Sequence, residues 1–320
     1  MKASVSKPDE IIRVNVIEKN NHSQETSRQF SADIPILDKF YQLEKEKKLN
    51  SAGNICEFYF SPRDKNHIAD LQSDVISKLL EWLQSHDCHG YSVSATVPDM
   101  NEKFLFQFDA DMTFYQHEII DELGKAAGCE SDVVKITAMA MEGEYDFKKS
   151  LEKRIALLSG MTAEAVFCVG NDLNFTFGIE KIMRFIQQNR YHSGIVSGGF
   201  DQIIGFIREK HSLDYLVANE LEIENKRLSG RLVGRVIDSI AKKEILEKMK
   251  NEYRIKAENT VAIGDGYNDL EVLREAGSGI AYRAKPVLRQ EAKAVINAED
   301  ISLGLYLLGF EESHIEKTLK

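Results

Sequence analysis

Apolar runs alternate with helical patterns along roughly the first hundred residues. The runs IIRVNVIE, NICEFYF and GYSVSATV are typical of strands, whereas HIADLQSDVISKLLEWL repeats its apolar positions every three or four residues. The stretch VPDMNEK, with its proline and polar residues, is typical of a linker. We therefore predict a small N-terminal α/β domain over residues 1–100 and a second domain over residues 101–320.

The second domain begins with the apolar run FLFQF and continues with helical patterns from about residue 116 to residue 185. Short apolar runs return as SGIVSGG and TVAIGDG, each followed by a helical pattern, and LVANELEIENKRLSGRLVGRVI between them predicts a hairpin. Strands that alternate with helices favour a parallel sheet. We predict an α/β fold with a helical cap inserted at about 116–185.

Two aspartates, Asp109 and Asp111, stand one residue apart at the end of FLFQF. Alternate residues of a strand point the same way, so the two carboxylates would share one face. Such a pair either binds a hard cation or divides the roles of nucleophile and acid, because a like charge raises the pKa of one member. Taken alone, the pair could equally be a solvated turn or a helix cap.

Three further segments carry polar residues at a strand end or a helix start. IVSGGF ends a strand with Ser197 and two glycines, which direct a hydroxyl and backbone amides towards an anion. AIGDGYNDLEVL ends another strand with Asp265, followed by Asn268 and Asp269, although Asp269 could simply cap a helix. Lys242 lies near a helix start, where a phosphate would justify a cation that opposes the helix dipole.

Composition limits the possible functions. The 320 residues are 43% hydrophobic and 29% charged, and the formal net charge of −10 argues against a nucleic-acid partner. The segment MKASVSKPDEIIRVNV has no apolar signal core and no later run approaches membrane length, so we expect a cytoplasmic protein without a membrane partner. The cysteines lack the paired spacing of zinc or redox motifs, and we expect them to be reduced: Cys56, Cys88, Cys129 and Cys168.

The order of these motifs resembles the haloacid dehalogenase superfamily. Within it, FDADMTFYQHEIIDELGKAAG, MEGEYDFKKSLEKRIALLSG, IVSGGF, ANELEI, LSGRLVG and AIGDGYNDLEVLREAGSGIAYRAKP are similar to phosphoserine phosphatases of the bacterial SerB type, over residues 104 to 300. The resemblance implies a Rossmann-like parallel sheet and a helical cap. It also implies Mg²⁺-dependent hydrolysis of O-phospho-L-serine, the last step of serine biosynthesis.

The resemblance also implies roles for the acidic residues. Asp109 would be the nucleophile that forms an aspartyl-phosphate, and Asp111 would be the general acid and base. Mg²⁺ would be held by Asp109, the backbone carbonyl of Asp111 and Asp265, with Asp269 orienting these ligands.

By the same resemblance, the substrate has two sets of contacts. Ser197, the amide of Gly198, Lys242 and Asn268 would bind the phosphate group. In the cap, Glu118 and Arg154 would bind the serine ammonium and carboxylate, and Met141 and Phe147 would cover the substrate. The two charged cap residues could instead be solvated helix charges, and the two apolar residues ordinary cap core.

The sequence departs from the family pattern at three positions. Met112 replaces the usual serine after the second aspartate, Phe114 replaces an aliphatic residue after Thr113, and Tyr267 stands where alanine is usual. The tyrosine would either narrow the site or project away from it. These changes would lower turnover or alter substrate preference, while every charged catalytic position stays occupied.

Several alternatives stay open. The chain could hydrolyse another small phosphomonoester, transfer the phosphoryl group to an alcohol, or act as a catalytically weakened amino-acid sensor. The N-terminal domain could be an ACT-like regulatory domain or a packing or dimerisation module, so a homodimer is a further option. The cluster His86, Cys88 and His89 could ligate a metal, but we favour a surface turn.

Overall fold

The computed structural model describes residues 12–19, 33–34, 41–50, 55–62, 68–85, 88–94, 98–141 and 144–319. The strands in these ranges are β1 (Ile12–Glu18), β2 (Tyr41–Lys48), β3 (Ile55–Pro62), β4 (Cys88–Ser94), β5 (Leu105–Phe108), β6 (His192–Phe200), β7 (Tyr215–Glu224), β8 (Arg227–Val233), β9 (Thr260–Gly264), β10 (Ser278–Tyr282) and β11 (Ala294–Ile296). Across the described part of the chain they form one 11-stranded sheet in the order β2-β3-β1-β4-β11-β10-β9-β5-β6-β7-β8.

The helices connect and cover these strands. They are α1 (Ile68–Ser85), α2 (Ile119–Ala127), α3 (Glu130–Met141), α4 (Phe147–Ala156), α5 (Ala163–Val169), α6 (Ile179–Gln188), α7 (Asp201–Ile204), α8 (Ile207–Lys210), α9 (Ser239–Glu252), α10 (Leu270–Glu275), α11 (Pro286–Glu291), α12 (Gly304–Leu307) and α13 (Glu312–Lys317). None of the helices within the described ranges is long and apolar enough to cross a membrane.

The centre of the sheet is parallel. Strands β11, β10, β9, β5, β6 and β7 pair in that order, each parallel to its neighbour. Every residue of β5 and of β9 is buried, as expected for parallel strands that are covered on both faces. The predicted α/β fold with a parallel sheet is confirmed.

The inserted region between β5 and β6 is helical. Helices α2 to α5 lie in this stretch, and the amphipathic α6 follows them with its apolar residues buried. Strands β7 and β8 form the predicted antiparallel hairpin. The hairpin contacts the inserted region where Leu228 N donates to Met161 O at 2.8 Å and Gly160 N donates to Leu228 O at 2.9 Å.

The N-terminal strands continue the same sheet. Strand β1 lies between β3 and β4, antiparallel to both, and β4 pairs antiparallel with β11. A glycine permits this close pairing, because a Cβ atom at Gly90 would lie 2.8 Å from the carbonyl oxygen of Val295. The division of the chain at about residue 100 stays a prediction, although hydrogen bonds cross it.

Buried polar side chains join this N-terminal part to the C-terminal segment. Asn15 Nδ2 donates to Leu307 O at 2.8 Å, and Ser92 Oγ donates to the same oxygen at 3.1 Å. Arg13 Nη1 donates to Leu308 O at 2.9 Å. Side chains from β1 and β4 therefore satisfy carbonyl groups at the end of α12, which have no partner within that helix.

Candidate active site

A pocket of about 550 Å³ opens at the carboxyl ends of β5, β6 and β9. In parallel sheets, this edge is where ligands bind. The predicted residues that line the pocket are Asp109, Asp111, Glu118, Phe147, Arg154, Gly198, Asp265 and Asn268. The side chain of Met141 lies outside the part of the chain that the structure describes.

Asp109 is held at the end of β5 by backbone and side-chain bonds. Its amide donates to Ile263 O on β9 at 2.9 Å, which extends the strand pairing by one residue. Its Oδ1 atom accepts a hydrogen bond from the Ala110 amide at 2.7 Å. The residue is only 4% exposed. Its carboxylate is therefore fixed at the edge of the pocket.

Lys242 is buried between two carboxylates. Its Nζ atom lies 2.8 Å from Asp109 Oδ1 and 2.7 Å from Asp269 Oδ1. Burial alone would lower the pKa of Lys242, but the two carboxylates outweigh it and raise that pKa. The second oxygen of Asp269, Oδ2, accepts from the Gly266 amide at 3.2 Å. Asp269 thus orients Lys242 and the turn at Gly266. Its side chain makes no capping bond to α10.

Three carboxylates meet beside the lysine. Ligand oxygens of Asp109, Asp265 and Asp269 lie within 4.8 Å of one another. Burial, then Asp109, Asp269 and Glu118, raise the pKa of Asp265 to about 8. Burial and Asp109 raise the pKa of Asp269 to about 7 against the opposing effect of Lys242. One lysine does not balance this charge, and hard oxygen donors suit a divalent cation, so the site fits such an ion.

Asp111 lies on an irregular turn, Ala110–Phe114, that follows β5. Within the turn Met112 has a φ of 52°, a left-handed conformation that is uncommon for a non-glycine residue. Asp111 Oδ1 accepts a hydrogen bond from the Ile119 amide at 3.3 Å. Burial, then Glu118 and Asp109, raise the pKa of Asp111 well above its ordinary value. This carboxyl group therefore keeps its proton to a higher pH than a solvated aspartate does.

The Ser-Gly-Gly segment at the end of β6 approaches the cap closely. Ser197 is fully buried, and its Oγ atom accepts from the Gly199 amide at 2.8 Å. A Cβ atom at Gly199 would lie 3.0 Å from Ile119 Cδ1, and one at Gly198 would lie 3.2 Å from Phe147 Cζ. The glycines therefore allow the first turn of α2 and the first residue of α4 to pack over this segment.

Glu118 and Arg154 bring opposite charges to the cap side of the pocket. Burial, then Asp121 and Asp109, raise the pKa of Glu118, while Lys285 and Arg154 oppose the rise. Burial lowers the pKa of Arg154 even though Glu118, Asp121 and Asp111 act in the other direction. Arg154 Nε donates to the carbonyl of the preceding helical turn, Ser150 O, at 3.4 Å. Both residues face the pocket, as a substrate-binding role requires.

Sequence reasoning missed several residues of the pocket and its support. Asp121 and Lys285 line the pocket. Lys285 lies three residues after β10, whereas Asp265 directly follows β9, so the position of Lys285 is a weaker signal of a site residue. Asn219 is buried behind the pocket, where its Nδ2 donates to Gly198 O at 2.8 Å and its Oδ1 accepts from the Ile237 amide at 2.9 Å. Asn219 lies in ANELEI, one of the segments that carry the family resemblance, but no role was assigned to it from the sequence.

The departures from the family pattern lie in different surroundings. Tyr267 is 69% exposed and lines the pocket, so it projects to the mouth of the site. Met112 is 41% exposed, whereas Phe114 is fully buried against Phe108 and Phe175. The larger side chain at Phe114 is therefore accommodated in the core.

The histidine and cysteine cluster gives no support for a second metal site. His86 lies outside the described residues, and Cys88 is buried in β4. Among the described residues, the group with metal-ligand spacing is the aspartate cluster of the pocket. The structure contains no disulfide between the four cysteines, which are Cys56, Cys88, Cys129 and Cys168.

Comparison with known proteins agrees with this geometry. The model of the haloacid dehalogenase-like hydrolase family matches residues 106–274. The phosphoserine phosphatase of Streptomyces coelicolor is 40% identical over 212 residues, which are 66% of this chain and 52% of that protein. The phosphoserine phosphatase of Saccharomyces cerevisiae is 34% identical over 247 residues, which are 77% of this chain and 80% of that protein.

A solved structure, described as a phospho-aspartyl intermediate analogue of phosphoserine phosphatase, is 40% identical. It covers 64% of this chain and 99% of its own, with a TM-score of 0.61. The chain spans about half the length of the Streptomyces coelicolor relative. The chain belongs to the haloacid dehalogenase-like hydrolase family and, within it, groups with the phosphoserine phosphatases.

Proposed function

We propose that this chain is a phosphoserine phosphatase, which hydrolyses O-phospho-L-serine to L-serine and phosphate. The observation that carries the proposal is one pocket lined by a carboxylate pair, Asp109 and Asp111, and by the cap charges Glu118 and Arg154. The similarity to named phosphoserine phosphatases supports the same substrate. On that ground we also assign the reaction to the last step of serine biosynthesis in the cytoplasm.

The first step is transfer of the phosphoryl group to the protein. A carboxylate oxygen of Asp109 attacks phosphorus, and the bond from phosphorus to the serine oxygen breaks. Asp111 donates its proton to that departing oxygen, and the raised pKa of Asp111 favours the protonated form that this step needs. The products of this step are L-serine and an aspartyl-phosphate at Asp109.

The second step is hydrolysis of the aspartyl-phosphate. Asp111 is now ionised and removes a proton from a water molecule, whose oxygen attacks phosphorus. The bond from phosphorus to the Asp109 oxygen breaks, and inorganic phosphate leaves. Asp109 is again a carboxylate and Asp111 is again protonated, so the site is ready for another cycle.

The negative charge of the transferring group is balanced by groups around the pocket. Lys242 supplies a buried positive charge next to Asp109, and the Gly198 amide and Asn268 would supply hydrogen-bond donors at the pocket wall. The hydroxyl of Ser197, which is buried beside Gly198, would add a further donor. Asp109 and Asp265 would hold a divalent cation, which we take to be Mg²⁺ with the backbone carbonyl of Asp111 as a further ligand. When bound, the ion would neutralise charge on the phosphoryl oxygens.

Selectivity for serine comes from the cap. Arg154 can bind the substrate carboxylate through two parallel hydrogen bonds, and Glu118 can pair with the ammonium group. Phe147 packs over Gly198 and covers the phosphate-binding segment, which limits the access of water.

The test is phosphate release from L-phosphoserine, compared with O-phosphoethanolamine, which lacks the carboxylate. With Mg²⁺ present, we expect kcat/KM to favour L-phosphoserine by about 10-fold or more, because the second compound leaves Arg154 unpaired. EDTA should abolish release from both compounds, and Asp109→Asn should abolish it with Mg²⁺ present. Equal rates for the two compounds, or release without a divalent cation, would overturn the proposal.

A further inference from the structure

A polar side chain, Gln107, lies on the apolar face of β5 that α9 covers. Gln107 is buried, and Leu105, two residues earlier on the same face, belongs to the same apolar cluster as Leu246 of α9. A buried amide costs free energy unless its polar atoms are hydrogen-bonded, whereas an apolar side chain would fill the same space without that requirement. A glutamine at this position therefore indicates a specific role.

Both polar atoms of the Gln107 amide have a partner. Its Nε2 atom donates to Lys242 O at 3.0 Å, and Tyr215 Oη donates to its Oε1 atom at 3.2 Å. Because a carbonyl group only accepts, the amide nitrogen must face Lys242 and the amide oxygen must face Tyr215. Burial raises the pKa of Tyr215 well above its ordinary value, so the hydroxyl keeps the proton that it donates. The hydrogen bonds therefore run in one direction, from Tyr215 through Gln107 to Lys242.

The sheet brings the tyrosine to the glutamine across an intervening strand. Gln107 on β5 pairs with Gly194 on β6, and Gly194 pairs in turn with Tyr215 on β7. A Cβ atom at Gly194 would overlap the ring of Tyr215. Glycine at this point therefore lets the ring lie across β6, so that its hydroxyl reaches Gln107.

Strand β5 holds Lys242 at two points. Asp109 and Gln107 stand two residues apart and point to the same side of the strand. Asp109 Oδ1 lies 2.8 Å from the ammonium group of Lys242, and Gln107 holds the backbone carbonyl of the same residue. A displacement of about 1 Å in a catalytic group can cost about 100-fold in rate. Fixing both ends of the lysine limits such a displacement.

We propose that Gln107 is a positioning residue for Lys242, which it holds against β5 together with Tyr215, so that the ammonium group stays where charge develops on the transferring phosphoryl group. This inference rests on the proposed function and deepens the role of Lys242 in it. Gln107 is not among the described residues that line the pocket, so it acts through Lys242. It should therefore affect phosphoryl transfer, whereas binding of the serine end depends on Arg154 and Glu118.

The experiment compares two variants that each remove the hydrogen bonds of a buried amide. Gln107→Met keeps the volume of the side chain, and Asn15→Leu changes a residue on β1, which lies well away from β5 in the sheet. At a temperature where both variants are folded, Gln107→Met should lower kcat about 10-fold on L-phosphoserine and on phenyl phosphate. Its KM for L-phosphoserine should change by less than about twofold. Asn15→Leu should keep the native kcat and KM.

A second pair of variants tests whether the tyrosine acts through the glutamine. Tyr215→Phe should lower kcat about threefold, because the amide of Gln107 loses the bond that orients it. The double variant, Gln107→Met with Tyr215→Phe, should have the kcat of Gln107→Met alone, since the hydroxyl has no other route to Lys242. Losses that multiply in the double variant would contradict the chain from Tyr215 through Gln107.

The outcomes separate this inference from a structural role and from the proposed function. A native kcat in Gln107→Met overturns the inference, and so does an equal loss of kcat in Asn15→Leu, because loosening of the fold would then explain both. If Gln107→Met does not fold, Tyr215→Phe decides: a lower kcat with native KM supports the inference, and a native kcat overturns it. Hydrolysis of phenyl phosphate but not of L-phosphoserine overturns the proposed substrate, and kcat on phenyl phosphate then decides the role of Gln107. A native chain that hydrolyses neither compound overturns both proposals.

Discussion

At the scale of single residues, Lys242 determines how the charges of the pocket balance. It is 1% exposed and contacts Asp109 and Asp269, while Asp265 completes the group of three carboxylates. A buried charge is tolerated when it is paired and hydrogen-bonded, and one ammonium group cannot pair with three carboxylates. The cluster therefore opposes folding until a cation or a proton compensates it.

Asp265→Asn should stabilise the fold when no divalent cation is present. The pKa of Asp265 in the folded chain, about 8, lies above its ordinary value, so this group opposes folding at every pH above that ordinary value. Asparagine cannot ionise, so the variant avoids the cost of this buried carboxyl group. We expect a gain of about 1–3 kcal/mol in the free energy of unfolding at pH 7. Urea denaturation in EDTA measures it.

A matched control for this variant is Asp132→Asn, which changes an aspartate on α3 whose side chain is 55% exposed. It should alter the free energy of unfolding by less than about 0.5 kcal/mol. Added Mg²⁺ should stabilise the native chain more than it stabilises Asp265→Asn. A loss of stability in Asp265→Asn in EDTA would contradict this view of the cluster.

Arg154→Ala should weaken transition-state binding of L-phosphoserine by about 1.5–3 kcal/mol, because the substrate carboxylate loses a charged partner. This loss is measured as a lower kcat/KM. The loss on phenyl phosphate, which has no carboxylate, should be much smaller. Arg154→Lys keeps the charge but not the two parallel hydrogen bonds, so its loss should be intermediate. An equal loss on both substrates would show that Arg154 supports the fold or the chemistry instead.

At the scale of elements, the pocket depends on three segments that meet beside β6. Asn219 on β7 bonds to Gly198 O at the end of β6 and to the Ile237 amide before α9. The helix then begins with its own cap, since Asp238 Oδ1 accepts from the Ala241 amide at 2.8 Å. The buried side chain of Asn219 thus holds Ser197–Gly199, the proposed phosphate-binding segment, against the helix that carries Lys242.

Asn219→Ala should lower both stability and turnover. It leaves a buried carbonyl and a buried amide without their partner, which costs about 2–3 kcal/mol in the free energy of unfolding. Activity on phosphoserine and on phenyl phosphate should fall by the same factor, because the phosphate-binding segment is common to both reactions. Thermal denaturation and steady-state kinetics measure these effects. Asn251→Ala, at an exposed asparagine near the end of α9, is the control and should change neither.

The sequence predicted the elements whose patterns are local. Strands β5 and β9 are continuous apolar runs that end in Asp109 and Asp265, so their position and their chemistry could be inferred together. Strand β2 was missed because YQLEKEKK is rich in charge. Such a composition suits an edge strand, where lysine and glutamate discourage pairing with another chain. Asn219 was missed because its role depends on contacts between β6, β7 and α9, which no local pattern contains.

At the scale of the whole molecule, the sheet runs without a break from β2 to β8 in the described part of the chain. The pairing of β4 with β11 joins segments about 200 residues apart, and no local pattern predicts it. Polar side chains of β1 and β4 add bonds to the end of α12. The N-terminal strands should therefore unfold together with the parallel part of the sheet.

Asn15→Leu tests this cooperation. It removes the bonds of a fully buried amide to Leu307 O and Ser92 Oγ, and we expect a loss of about 2–3 kcal/mol in the free energy of unfolding. Calorimetry should show that the transition of the catalytic part shifts to lower temperature together with that of the N-terminal strands. A variant in which an N-terminal transition shifts alone, while phosphatase activity keeps its native melting temperature, would contradict this coupling.

The most direct test of the central claim is to find where the phosphoryl group goes during one turnover. Enzyme in excess is mixed with ³²P-labelled L-phosphoserine and Mg²⁺, and the reaction is quenched in acid. The protein is then digested, and the peptide that carries the label is identified. We predict that the label appears transiently on the peptide that contains Asp109, and that Asp109→Asn carries none. Label on a different residue, or release of phosphate from Asp109→Asn at the native rate, would contradict the account.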